Sequence, residues 1–384
     1  MSKFLILAVI TIFISCGINS NKENKIRATR TYYIELPYIK TKSAAAFSSV
    51  DLVYDKKSNK PILAYLLKAD SQFYYVDVFS KKIIKKINFK SMAKKLGLNA
   101  YFSPFYIGLD SILILSENDK NIYLIHNNKI EFQTSVYANE YSPQNYEPLS
   151  LSQFNILYSN NCIYVVTTYN DMVLNNMQNI KKYFNRLPEL GISITNKQYF
   201  RLGKFPSNYL TNFYYDCYPI RCINNHNELV YSFRNNDTLF VYNKQKLVKF
   251  VSAKSKYDNA PHATMPIDAV DKISKVKEYN LAAARYEKIV YDPFKNCYYR
   301  VFKPSQNFLN EQNQIKQKKE LNWVLMVLDS NLNVQAEHLF TKGEYNYKWM
   351  LPTQNGLLVS STCESCQNRD LLKFTLLQTH ESQP

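Results

Sequence analysis

The chain has 384 residues, 46% hydrophobic and 21% charged, enough apolar surface for a large core and too much for global disorder. With 32 Tyr and 22 Phe but only 7 Gly, it is neither collagen-like nor low-complexity, and its aromatic bias favours strands. The net charge of +17 comes from Lys scattered in short runs such as Lys81-Lys82 and Lys94-Lys95, a dispersed surface charge rather than a nucleic-acid footprint.

The N-terminus reads as an export signal. Lys3 precedes an apolar run at 4–14 that is too short to span a bilayer, and the run ends in Ser15-Cys16. A small residue before a Cys resembles a bacterial lipoprotein signal, with residues 1–15 removed and Cys16 carrying the lipid. Gly17 follows where Asp would favour retention, so by analogy the expected destination is the outer membrane, facing the periplasm or the cell surface. Residues 16–30 are polar and expected to form a flexible tether.

Strand-like runs follow in chain order, separated by Asn-, Asp- and Lys-rich turns. The first group is 50–54, 62–67, 73–79 and 83–89; the second is 101–107, 112–115, 122–126 and 130–136. The third is 154–158, 162–168, 191–195 and 198–202; the fourth is 218–223, 229–233, 238–242 and 247–251. The fifth is 287–291, 297–302, 323–328 and 334–340. The sixth has only 347–351, 356–361 and 371–377, while a spare run at 31–36 follows the tether. Adding the spare strand to the short group completes six groups of four. That is the pattern of an all-β, six-bladed β-propeller of four-stranded blades at 31–378, its last blade closed by an N-terminal strand.

So few glycines leave the tight turns to Asn, the next residue to tolerate positive φ. Asn127-Asn128, Asn160-Asn161, Asn225 to Asn227, Asn235-Asn236-Asp237 and Ser330-Asn331 sit where hairpins need it. Two small helical insertions interrupt the strands, at 171–187, ending at Pro188, and at 268–285, with Asp268 as the expected N-cap. Either could pack on one end of the propeller or shape a mouth over its channel.

The segment Tyr291-Asp292-Pro293-Phe294-Lys295-Asn296-Cys297-Tyr298-Tyr299-Arg300 resembles an uncharacterised family of Bacteroidota-type lipoproteins, the domain of unknown function 4221. That family is similar to the six-bladed TolB-like propellers. The resemblance implies fold and location and carries no activity.

No HExxH, GxSxG, SxxK, P-loop or GxGxxG is present, so no catalytic residue, cofactor or metal is expected. Beyond Cys16, six cysteines permit three disulfides in an exported protein. Cys363 and Cys366 form the one local pair, which fits a turn-closing disulfide or idle thiols better than redox or zinc chemistry, since neither a helix start nor further ligands are at hand. Cys162 and Cys297 read as small buried hydrophobes. Asp216, Glu147, Glu287 and Asp292 flank inner strands and could converge at the channel, as a glycosidase would require; satisfying turns and Arg partners is the commoner use.

Tyr and Arg recur together near the inner strands: Asp216, Tyr218 and Arg221, then Arg285 and Tyr286, then Tyr299 and Arg300, then Trp349. Aromatic platforms beside guanidinium groups suit sugar rings, carboxylates or peptide backbones, although core packing explains most such aromatics. The expected function is a non-enzymatic, lipid-anchored envelope propeller binding a glycan, peptide or partner protein. The alternatives are an envelope polysaccharide hydrolase or lyase, and a structural subunit of an envelope complex.

Overall fold

The computed structural model describes residues 25–35, 47–55, 59–67, 72–96, 102–116, 120–136, 146–148, 156–169, 176–317, 320–341, 345–361 and 371–380. Just over half of them lie in six antiparallel sheets, arranged as a closed six-bladed propeller.

The first strand, β1 (Lys25–Glu35), belongs to the last blade. Blade 1 is β2 (Phe47–Asp55), β3 (Lys60–Leu67), β4 (Gln72–Asp77) and β5 (Ile83–Asn88). A short helix the sequence did not announce, α1 (Lys90–Lys95), leads to blade 2. That blade is β6 (Phe102–Tyr106), β7 (Ser111–Ser116), β8 (Asn121–His126) and β9 (Lys129–Ser135). Blade 3 departs from the expected single inner strand. Both β10 (Tyr146–Pro148) and β11 (Leu157–Ser159) pair with β12 (Cys162–Tyr169), at its two ends. Helix α2 (Met177–Phe184) follows, then β13 (Glu189–Ser193) and β14 (Tyr199–Leu202) complete the blade.

Blade 4 is β15 (Ile220–Ile223), β16 (Leu229–Ser232), β17 (Thr238–Asn243) and β18 (Lys246–Ser252). Helix α3 (Ile273–Ala282) precedes blade 5, which is β19 (Arg285–Asp292), β20 (Cys297–Lys303), β21 (Trp323–Leu328) and β22 (Val334–Phe340). Blade 6 holds β23 (Tyr345–Thr353), β24 (Gly356–Ser361) and β25 (Leu371–His380), with β1 as its outer strand. The closing strand begins at Lys25, so the last six residues of the expected tether are already in the sheet.

Ring closure is visible in the packing. Six apolar clusters form, one between each pair of neighbouring blades. The seam between blades 6 and 1 sets Tyr32, Ile34, Phe374 and Leu376 against Leu52, Leu63, Tyr65 and Tyr74. Because successive side chains on a strand point to opposite faces, β3 sends Ile62, Ala64 and Leu66 to blade 2 and Leu63, Tyr65 and Leu67 to blade 6. Middle strands buried on both faces therefore read as continuous apolar runs.

Asn does serve the hairpins. Asn127-Asn128 and Asn160-Asn161 have positive φ at both positions, the geometry of a type I′ turn. Of 225–227 only Asn227 does so, and after Ser330-Asn331 it is Leu332 that turns left-handed. Several Asp side chains close turns: Asp77 accepts from the backbone N–H of Phe79 and Ser80, Asp292 from Phe294 and Lys295, and Asp329 from Asn331 and Asn333.

The insertions are shorter than expected. Helix α2 is capped by Asn176, whose side chain accepts from the Asn179 N–H at 2.8 Å; residues 170–175 lie outside the described set. Asp268 is not an N-cap. It sits within a 3₁₀ turn at Ile267–Ala269 led by Pro266, and α3 starts after Lys272 with no side-chain cap. Cys162, Cys217, Cys222 and Cys297 are free thiols, three of them buried, so three disulfides among the six downstream cysteines do not form. Cys16, Cys363 and Cys366 lie outside the described residues.

Candidate functional site

The inner strands β2, β6, β15, β19 and β23, with β11, surround an axial cavity of about 1270 Å³. That exceeds the ~300–1000 Å³ usual for one small molecule. Near its α3 end lies a network of four charged side chains. Arg285, at the start of β19, donates from Nη2 to Asp216 Oδ2 at 3.1 Å and from Nη1 to the side-chain oxygen of Asn280, with Nε 3.5 Å from Glu287 Oε1. Arg234, just after β16, lies 2.5 Å from Glu287 and 3.4 Å from Asp216. Asp216 reaches both arginines from a left-handed backbone, φ +57°. Two carboxylates thus do converge, but each is held by two guanidinium groups.

Lys303 closes the floor beneath α3. Its ammonium donates to the carbonyls of Leu281 (3.0 Å) and Ala283, the last turn of the helix, where a cation complements the dipole. Burial pulls its pKa down to about 7.

Halfway along the channel, Lys288 of β19 donates to the Lys348 carbonyl of β23 at 2.5 Å. Asp51 of β2 accepts from the Leu52 N–H at 2.8 Å. Burial raises Asp51 to about 6 despite the Leu52 hydrogen bond and the attraction of Lys288. Burial likewise lowers Lys288 to about 8, against the pull of Asp51 and with the repulsion of Lys348. The two attract without forming a direct ion pair among the described contacts. Beside them the Lys348 ammonium lies 4.7 Å over the indole of Trp349. At the far end Phe294, in the β19–β20 turn, meets Tyr54 of blade 1 edge to face, ring centroids 4.8 Å apart. Blade 6 stands between their blades, so this contact narrows that end of the channel.

Residues 39–339 match the family described as Domain of unknown function (DUF4221). The chain belongs to the DUF4221 family. A solved DUF4221 member from Bacteroides vulgatus is similar in structure, with TM-score 0.74 at 19% identity, over 94% of this chain and 100% of that one. A putative exported protein from Bacteroides fragilis gives 0.46 at 9% identity, over 95% and 97%. A catalytically inactive virginiamycin B lyase from Staphylococcus aureus gives 0.41 at 10%, over 90% and 99%. No curated protein matches.

In this DUF4221 propeller the expected site residues divide. Asp216, Arg221, Arg285 and Trp349 line the channel. Arg221 is nevertheless spent on a buried pair with Glu189, at 2.8 Å, and Glu189 also accepts from the Tyr231 hydroxyl. Tyr218 turns its hydroxyl to Thr168 of β12, at 2.9 Å, and to Tyr183 of α2. Tyr286, Tyr299 and Arg300 make framework contacts instead. Tyr286 bonds Asp258 and the Ser255 N–H, Tyr299 bonds Asp292, and Arg300 binds three backbone carbonyls of blade 4. Tyr299 and Arg300 lie on β20, a second strand whose two faces are both buried between blades, so neither reaches the channel. Asp292 serves its turn, and the side chain of Glu147 lies outside the described set.

Asp51, Arg234, Lys288 and Lys303 also line the channel, and no local pattern marks them. Period-2 alternation marks Lys288 as an ordinary strand lysine, and nothing local shows it facing Asp51 across the axis. One signal was available. Tyr54-Asp55 with Asn59, and Tyr291-Asp292 with Asn296, share one spacing, and both tyrosine hydroxyls donate to the left-handed Asn of the next turn. That repeat marks equivalent ends of two inner strands.

Proposed function

We propose that the protein is a lipid-anchored propeller of the bacterial cell envelope that binds a glycan, peptide or partner-protein segment in its axial channel without transforming it. One observation carries the reading: a cavity of about 1270 Å³ on the propeller axis, lined by charged groups and by Tyr54, Tyr291, Tyr347 and Trp349. The anchoring part rests on the sequence, a short apolar run ending in Ser15-Cys16. Among the described residues no helix is long and apolar enough to cross a membrane. Against catalysis by Asp216 and Glu287 stands their pairing with Arg234 and Arg285, since a general acid must have a proton to give.

A second reading, an envelope polysaccharide hydrolase or lyase, is favoured by Asp51, a channel carboxyl raised to about 6. Glycan and peptide arrays probed with the full chain in detergent test the first reading, and new reducing or unsaturated ends released from bound glycans test the second. Binding without product supports a binding protein; product formation that Asp51→Asn abolishes replaces it. Cys16→Ala should move the protein out of the membrane fraction, and persistent sedimentation with membranes removes the lipid anchor from the reading.

A further inference from the structure

Resting on the binding reading above, we infer that the middle of the channel recognises a carboxylate-bearing oligosaccharide, with Lys288 as the residue that holds the carboxylate. Three observations combine. The first is charge. At the α3 end Arg234 and Arg285 are balanced by Asp216 and Glu287, and the Lys303 ammonium faces helix carbonyls. In the middle, Lys288 and Lys348 stand near Asp51, the one carboxylate among the described lining residues that is not already paired with arginine, so this section is net positive and favours an anion.

The second is incomplete satisfaction. Among the described residues the Lys288 ammonium makes one hydrogen bond, to the Lys348 carbonyl, although it has three N–H groups to donate. Both side chains are half-buried in the channel wall, where partial desolvation raises Asp51 and lowers Lys288 and each only partly offsets the other. A ligand carboxylate between them would give Lys288 an anionic partner beside the Lys348 carbonyl.

The third is shape. Lys348 joins the carbonyl that Lys288 binds to an ammonium lying over Trp349, so cation and aromatic ring stand together. A hexuronic acid carries its carboxylate directly on a rigid ring, so fixing the carboxylate also fixes the ring. An acidic peptide carries charge and apolar surface on separate flexible arms, each costing entropy to fix. At about 1270 Å³ the cavity has the volume for several rings rather than one.

The groups facing the bound carboxylate set its pH response. From β2 comes Asp51, from β19 Lys288 and from β23 Lys348; Glu287 and Asp216, paired with Arg234 and Arg285, and Lys303 lie toward α3. A carboxylate bound beside Asp51 favours protonation of Asp51. Affinity therefore falls as pH rises through about 6, where Asp51 ionises, and falls again through about 8, where Lys288 loses its proton.

The experiment is titration calorimetry on the full-length chain in detergent. The probes are tetragalacturonate, its methyl-esterified form and a hyaluronan tetrasaccharide, with an acidic tetrapeptide as a separate arm. Expected is binding of at least one acidic tetrasaccharide, weakened tenfold or more by esterification or by Lys288→Met, in a protein whose melting temperature is unchanged. Asp51→Asn, a milder change, should remove the affinity step near pH 6. Equal affinity for acid and ester, no binding of either acidic tetrasaccharide, or tighter binding of the peptide overturns the inference. If neutral glycans or peptides bind on arrays while these probes do not, the binding reading stands and this inference falls. If nothing binds in either format, both fall.

Discussion

Arg300 lies flat across the ring of Tyr286, its guanidinium carbon 3.5 Å from the ring centroid. The side chain crosses from blade 5 into blade 4, donating from Nε to Ser232 at 3.1 Å and from its terminal nitrogens to the carbonyls of Asn236, Asp237 and Ala253. A fork of donors against carbonyls fixed by a turn is a task for Arg rather than Lys. Arg300→Met should destabilise the fold by about 3 kcal/mol or more, because the buried Ala253 carbonyl and the half-buried Asn236 and Asp237 carbonyls lose their donor, and Arg300→Lys should rescue little. Urea unfolding measures both, and a loss under about 1 kcal/mol for Arg300→Met would show that water substitutes for the guanidinium.

Closure of the ring depends on β1. It pairs with β25 from Lys25↔His380 to Glu35↔Leu371 and buries Ile26, Tyr32 and Ile34. Deleting Lys25–Glu35 removes those three side chains from the core, about 5 kcal/mol or more, and leaves β25 as an open edge. The truncated protein should melt well below the parent or aggregate. Unchanged melting would mean that the remaining three-stranded blade suffices.

Gly356 opens β24 with φ +140°, and a Cβ there would sit 2.4 Å from the Leu377 carbonyl oxygen of the neighbouring strand. No backbone oxygen in a paired sheet can retreat that far. Gly356→Ala should cost about 2 kcal/mol or more in chemical denaturation. The equivalent change at Gly108, where the structure leaves open space, should cost far less.

His262 ties the link between blades 4 and 5 to the start of β19. Its Nδ1 faces the Ala284 carbonyl at 3.0 Å and its Nε2 the Asp258 carboxylate at 3.3 Å, and Asp258 also accepts from the Tyr286 hydroxyl at 3.0 Å. Both ring nitrogens meet acceptors, so only the imidazolium satisfies both. Burial alone would lower the His262 pKa, but the Asp258 and Ala284 hydrogen bonds and the nearby Asp258 and Asp237 charges raise it above the usual value. A group raised in the folded state contributes stability that is present below the unfolded pKa, about 6.5, and is lost as pH rises through the folded value. The stability gap between the native protein and His262→Gln should be widest near pH 5.5 and narrow by pH 8.5. A gap that is constant across this range removes the ionic part of the contact.

The architecture was legible in the chain alone. Short strand-like apolar runs, Asn pairs at the turns and a missing twenty-fourth strand were enough to count six blades and to place β1 beside β25, because these signals are local and closure leaves one way to satisfy both ends. The sequence could not separate Arg285 from Arg300. Both follow aromatic-rich patterns in blade 5, yet one begins the inner strand and meets Asp216 while the other lies on a second strand and faces blade 4. Only the tertiary structure brought Asp51 and Lys288 to the same depth of the channel and set Arg234 against Glu287. Which side chains meet across the axis depends on how each blade is shifted and rotated against its neighbours. Those offsets are set by the interlocking of six apolar clusters, and no single strand carries them in its own pattern.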